Sequence, residues 1–282
     1  MTVIGIFGPT ASGKSALAQE VAAELKGELV SADAMQVYRG LPILTNQSPA
    51  RLVGIWPLDK EASVGDYAPL AHAAIDEILA AGRTPVVVGG TGLYFRAALG
   101  ELSLPPAPAP GVRDRWAAAS DADPAAAHEE LRRRDPVAAA AVHANDRRRV
   151  VRALELAEAG ASLAPVADEL WGAHTRHPTV IVGLDPPKEE LERRIVERTH
   201  AMFDAGVQDE VRAALEQPLS LTARKTLGLD EVATLPREQA IESIVVRTRR
   251  YAAYQRKWMR RIPGLVIVES VDDVLALVSA RE

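Results

Sequence analysis

One stretch, Gly8-Pro9-Thr10-Ala11-Ser12-Gly13-Lys14-Ser15, constrains this chain more than any other. It matches G-x-x-x-x-G-K-[ST] at every fixed position, a pattern that works only where a strand ends and a helix begins. Both flanks supply that context. Thr2–Phe7 is a short apolar run that reads as a buried strand, and Ala16–Leu25 reads as a helix. The two glycines let the backbone curl so that several N–H groups face one point. The helix N-terminus adds partial positive charge and Lys14 a full one. Ser15 can offer its hydroxyl to Mg²⁺. Gly8, Pro9, Thr10, Ala11, Ser12, Gly13, Lys14 and Ser15 therefore form a candidate cradle for a diphosphate or a nucleotide, with Ser15 facing the metal. A glycine-rich turn that binds nothing is the plainer alternative, and the strand–helix context disfavours it.

The rest of the chain predicts an α/β fold: a P-loop parallel-sheet core with helices on both faces, interrupted by an all-helical insertion. Glu28–Ala32 reads as the second strand, with Asp33 at its carboxyl end, where open α/β sheets place ligand groups. On position alone Asp33 is equally a turn aspartate. Arg51–Trp56 reads as a third strand, and Asp66–Ala81 as a helix stopped by Gly82. Pro85–Val88 is apolar on both faces, as in a parallel sheet. It runs into Gly89-Gly90-Thr91-Gly92, a second glycine-rich turn with a hydroxyl to give. No aspartate ends this strand, which counts against an ordinary ATPase or GTPase.

Leu104–Gly111 holds four prolines and reads as a linker. Residues 112–173 read as helices only, and Thr179–Leu184 returns to strand character. The core is thus expected at 1–111 and 174–282, with the insertion at 112–173. Helices are expected at Pro187–Ala205, Val207–Leu215, Arg237–Arg261 and Val271–Ala280, and a last strand at Leu265–Val268.

Composition excludes several classes. With no cysteine there is neither a disulfide nor a thiolate metal site, and the six histidines lack ligand-like spacing. No apolar run reaches membrane-spanning length, and the N-terminus reads directly into a strand. A cytoplasmic protein without a membrane partner is the expectation. The net charge of −5 argues against nucleic acid, but it averages over two basic clusters. Arg237–Arg261 carries no acidic residue after Glu242, and the insertion contains Arg147-Arg148-Arg149 followed by Arg152. Arg148 and Arg152 share a helix face at i, i+4. Two such clusters beside a phosphate cradle point to a polyanion partner.

Together these residues resemble a known family. Gly8–Ser15, Asp33 with Tyr38-Arg39-Gly40, Gly89-Gly90-Thr91-Gly92-Leu93-Tyr94-Phe95, and Asn145-Asp146 with Arg149, Arg152, Ala153 and Leu154 resemble the bacterial tRNA dimethylallyltransferases in order and spacing, over essentially the whole chain. The resemblance implies an enzyme, a prenyltransferase that moves a dimethylallyl group from dimethylallyl diphosphate to N6 of the adenosine just 3′ of a tRNA anticodon. It implies Mg²⁺ as cofactor, a monomer, and a helical insertion that grips the anticodon stem-loop. By the same resemblance Lys14, Thr91 and Arg113 would stabilise the departing diphosphate and Asp33 would act as base. Contacts to tRNA would come from Asp33, Ala34, Met35, Gln36, Arg148, Arg149, Arg152, Arg224 and Lys225. The chain departs from the family pattern at Ala34, where serine is usual. It departs again at Lys225-Thr226-Leu227-Gly228-Leu229, where Arg-x-x-Gly-Tyr is usual. A small-molecule kinase explains the cradle but neither the Gly89–Phe95 run nor the basic insertion. An adenylate isopentenyltransferase, acting on free nucleotide, has no need of an RNA clamp.

Overall fold

The computed structural model describes residues 1–102, 108–109, 111–163, 170 and 172–281. Most of the expected linker, 104–111, lies outside them. The chain forms two compact units, Met1–Leu102 with Leu170–Glu282, and Ser103–Glu169.

In the first unit β1 (Val3–Phe7) leads into α1 (Lys14–Glu24), and β2 (Glu28–Ser31) follows. Then come α2 (Val64–Ala80), β3 (Pro85–Gly89) and α3 (Gly92–Leu99). The helices α4 (Val112–Ala122), α5 (Pro124–Arg134), α6 (Pro136–Ala141) and α7 (Arg147–Glu158) form the second unit. The chain re-enters the first unit through β4 (Thr179–Gly183), α8 (Lys188–Asp204), α9 (Val207–Leu215) and α10 (Leu229–Thr234). It ends with α11 (Arg237–Met259), β5 (Leu265–Ile267) and α12 (Val271–Ser279).

The five strands form one parallel sheet in the order β2-β3-β1-β4-β5. Alternation along β1 divides the core in two, because successive side chains point to opposite faces. Val3 and Phe7 join the cluster that packs Tyr67 and Ile75 of α2, Phe95 of α3, Ile195 of α8 and Ile241 and Ile244 of α11. Ile4 and Ile6 join Leu17 and Val21 of α1 and Val274 and Val278 of α12. Helices thus cover both faces. No described helix is long and apolar enough to cross a membrane.

The expected strand at Arg51–Trp56 is not formed. Arg51 makes one isolated bridge to Val30 and Trp56 another to Tyr38. Between them Leu52 and Gly54 have φ of 67° and 62°, which turns the chain out of any ladder. The helix expected from Asp66 begins instead at Val64, because the Ser63 hydroxyl accepts the Asp66 N–H at 3.1 Å as its cap.

The helical unit has its own small core, with Leu131, Ala139, Val150 and Leu154 among its buried residues. Its helices α5, α6 and α7 start at aspartates that the sequence supplies at short intervals. Asp123, Asp135 and Asp146 each accept an N–H three residues on, and Pro124 and Pro136 occupy first positions where a missing donor costs nothing.

Candidate active site

Sheet order decides what meets at the carboxyl edge. β3 lies between β2 and β1, with Phe7 opposite Gly89 and Ser31 opposite Val88. The segments leaving these strands, Gly8–Ser15, Ala32–Gln36 and Gly90–Thr91, therefore emerge side by side. Open α/β sheets bind ligands at this edge.

The first segment is a shaped loop. Ala11 and Gly13 take left-handed φ of 64° and 94°, and the Ser12 N–H closes back on the Pro9 carbonyl at 3.2 Å. The Thr10 N–H is taken by Gln255 Oε1 at 2.7 Å. The amides of Thr10 and Ser12 are thus already engaged. Those of Ala11, Gly13, Lys14 and Ser15 have no hydrogen bond among the described residues and stand at the start of α1, where an anion is favoured. Ser12 Oγ is buried without a partner among the described residues, as befits a group that a ligand satisfies.

Lys14 Nζ bends back to the Pro9 carbonyl at 3.3 Å. Burial pulls its ammonium down from 10.5 to about 8; Asp33 opposes that fall and Arg198 adds to it. Arg198, on α8, is lowered by burial and supported by Asp33, and has no hydrogen bond or ion pair among the described residues. One turn earlier Arg194 donates to the Ser12 carbonyl at 3.0 Å, so this face of α8 lies along the loop. Two cations thus share one carboxylate at the cradle, an excess of positive charge suited to a polyanion.

Asp33 is held by an Asx turn, its Oδ1 accepting the Met35 N–H at 2.9 Å and the Gln36 N–H at 3.4 Å. The Ala34 N–H donates to Thr91 Oγ1 at 3.2 Å, which ties Asp33's turn to the second glycine-rich turn. Tyr251 of α11 also reaches Thr91; burial first and Asp33 second push its phenol well above the ordinary range. The Thr226 hydroxyl donates to Met35 Sδ at 3.3 Å. Thr226 follows a short 3₁₀ turn, Ala223–Lys225, on which Arg224 and Lys225 are exposed and make no ion pair among the described residues.

In the helical unit the basic residues divide. Arg148 and Arg149 are exposed at the start of α7 without ion pairs among the described residues. Arg147 pairs with Asp121, and Arg152 donates to the buried Glu155 at 2.8 Å. Arg113 reaches the same carboxylate at 2.7 Å. Burial pushes Glu155 up, and the two guanidiniums more than offset it, leaving the carboxyl below its usual range.

The described residues contain no group of three or more His, Asp or Glu able to hold a metal. The Ser15 hydroxyl, without a hydrogen bond among the described residues, still fits Mg²⁺, which takes one or two protein ligands and completes its shell with phosphate oxygens and water. Arg198, Tyr251 and Gln255 are the site residues that sequence reasoning missed. They lie on long charged helices with no local pattern to single them out.

Comparison with known proteins matches residues 36–262 to the family model described as IPP transferase. The tRNA dimethylallyltransferase of Salinispora tropica is 40% identical over 99% of this chain and 92% of its own length. That of Thermobifida fusca is 41% identical over 93% of this chain and 88% of its own. Among solved structures, the full-length tRNA isopentenylpyrophosphate transferase of Bacillus halodurans superposes with a TM-score of 0.70 at 29% identity, covering 99% of this chain and 96% of that one. A eukaryotic dimethylallyltransferase solved acting on tRNA gives a TM-score of 0.79 at 25% identity, covering 99% of this chain and 77% of that one.

Proposed function

The chain belongs to the IPP transferase family, and from that footing we propose how its residues carry the family's reaction. The enzyme transfers a dimethylallyl group to a tRNA adenosine. The donor is dimethylallyl diphosphate, held in the Gly8–Ser15 cradle, and the acceptor is N6 of the adenosine just 3′ of the anticodon. The observation that supports this most is the convergence of two unlike half-sites at the ends of β1 and β2, the two strands that flank β3. One is a cationic cradle with open amides, and the other is a carboxylate fixed in a turn.

In the reaction the bond between the allylic carbon and the diphosphate oxygen breaks and the bond to N6 forms. The adenine has to leave its stack to reach the edge of the sheet. Asp33 accepts the N6 proton, and such general-base help is worth about 10²–10⁴ in rate. Negative charge growing on the leaving oxygens meets Lys14, Arg198, the amides of Ala11, Gly13, Lys14 and Ser15, and the Thr91 hydroxyl. Groups already in place act without reorganising, which makes this the larger electrostatic contribution. Mg²⁺ on Ser15, when bound, neutralises part of the same charge.

The exposed Arg148, Arg149, Arg224 and Lys225, with the turn Asp33–Gln36, supply the RNA contacts, and Arg152 supports them through Glu155. The protein acts as a cytoplasmic monomer. The test is incubation with Mg²⁺, labelled dimethylallyl diphosphate and an anticodon stem-loop RNA, followed by digestion. Labelled N6-alkyladenosine from the stem-loop supports the reading. Label that persists when the target adenosine is replaced by guanosine, or label in free AMP alone, refutes it.

A further inference from the structure

Beyond Phe7 and Gly89, β1 and β3 share no ladder. Among the described residues no backbone hydrogen bond joins Gly8–Ser15 to Gly90–Thr91. The connection comes from α11. Gln255 is 2% exposed. Its Oε1 accepts the Thr10 N–H at 2.7 Å and its Nε2 donates to the Gly90 carbonyl at 2.9 Å. These partners, one a donor only and the other an acceptor only, fix which way the amide lies. A Cβ at Gly90 would stand 2.3 Å from Nε2, so the turn is built to let the amide in.

The neighbours on the same face of α11 support the bridge. Tyr251, one turn before, reaches both Thr91 and Gln255. Trp258, three residues after, lies against Gly92, where a Cβ would meet the indole at 2.1 Å. Positions 251, 255 and 258 fall on one stripe of a helix. That stripe covers the turn carrying Thr91 and reaches the cradle through one side chain.

We propose that Gln255 is a positioning residue for transfer: it sets the spacing between the diphosphate cradle and the Thr91–Asp33 side, so that leaving group and acceptor amine stay in line. The inference rests on the transfer reading above. Misplacement of reacting groups by about 1 Å can cost about 10²-fold in rate, and the two loops have no other direct hydrogen bond among the described residues to hold them.

The test uses Gln255→Met and Gln255→Glu. Methionine keeps the length and loses both bonds at every pH. Ionised glutamate accepts from Thr10 but has no proton for the Gly90 carbonyl, whereas protonated glutamate serves both. Four quantities are measured: the single-turnover transfer rate against pH, the steady-state KM for the stem-loop, the affinity for inorganic diphosphate with Mg²⁺ by calorimetry, and the melting temperature. The expected result is a transfer rate about tenfold or more below wild type for Gln255→Met, with KM for the stem-loop unchanged. Gln255→Glu should recover relative to wild type as pH falls. Variants that melt lower but transfer at the wild-type rate overturn the proposal, and so does a Gln255→Glu rate whose ratio to wild type ignores pH. If wild type itself fails to transfer, the transfer reading falls, and diphosphate affinity then decides for the bridge. Weaker binding in both variants supports it, and unchanged binding overturns it.

Discussion

Lys14 gives the account its sharpest pH dependence. Burial lowers its ammonium from 10.5 to about 8. At about 1.4 kcal/mol per pKa unit, this places the charged form on the order of 3 kcal/mol above its level in water. The free enzyme therefore loses the Lys14 charge above about pH 8. A bound diphosphate favours the charged form and raises the pKa again, so donor binding takes up a proton in that range. Without ligand, the same depression means that Lys14's contribution to stability grows as pH rises from about 8 towards 10.5, where the unfolded chain binds more protons. The assay is initial-rate transfer at saturating stem-loop RNA with dimethylallyl diphosphate varied from pH 6 to about 10. kcat/KM for the donor should fall about tenfold per unit above about 8, and kcat should break at a higher pH. Lys14→Arg, whose guanidinium stays charged throughout, should have a lower rate but no such break. A break that persists in Lys14→Arg, or its absence in wild type, would show that Lys14 does not set the pH dependence.

Further consequences can be checked separately. Asp33→Asn keeps an oxygen for the Asx turn and loses the base, so transfer should fall about 10²–10⁴-fold with little loss of tRNA affinity; undiminished turnover would remove Asp33 from that role. Replacing the exposed Arg148 and Arg149 by alanine should weaken RNA binding and flatten its log–log salt dependence by about one to two units, and a wild-type slope would show that they face only solvent. A Cβ at Gly89 would stand 2.1 Å from the Ala32 carbonyl, so Gly89→Ala should cost about 3 kcal/mol or more of stability in a denaturant melt. A wild-type midpoint would contradict the close approach of β2 and β3.

Half of the site could be read from the chain, and the reason is locality. Gly8–Ser15, Asp33 and Gly89–Gly92 each follow a strand directly, so strand, turn and motif lie within a few residues of one another. Their meeting follows from a sheet order that puts β3 between the other two. Arg198, Tyr251 and Gln255 enter from α8 and α11, far along the sequence, and only packing chooses them from many similar charged and polar neighbours. Pairing was equally hidden. Arg113 and Arg152 read as cations for a ligand, yet both engage Glu155, a carboxylate inside the helical unit. Arg51–Trp56 misled in the opposite way. Its composition suits a strand, but two left-handed residues inside it leave only its ends able to pair. The polar partners of α11 show the same limit: Arg247 and Arg256 look like part of an open basic stripe, but they pair with Glu231 and Asp185.

The central claim is that one cradle releases diphosphate as one adenosine gains its alkyl group. The direct measurement is a single-turnover reaction with doubly labelled dimethylallyl diphosphate, Mg²⁺ and the anticodon stem-loop, following diphosphate and N6-alkyladenosine together in wild type and Lys14→Ala. Equal amounts of the two products are expected, formed at the same rate, with both collapsing in Lys14→Ala. Diphosphate released without alkylated RNA, or transfer untouched by the loss of Lys14, would contradict it.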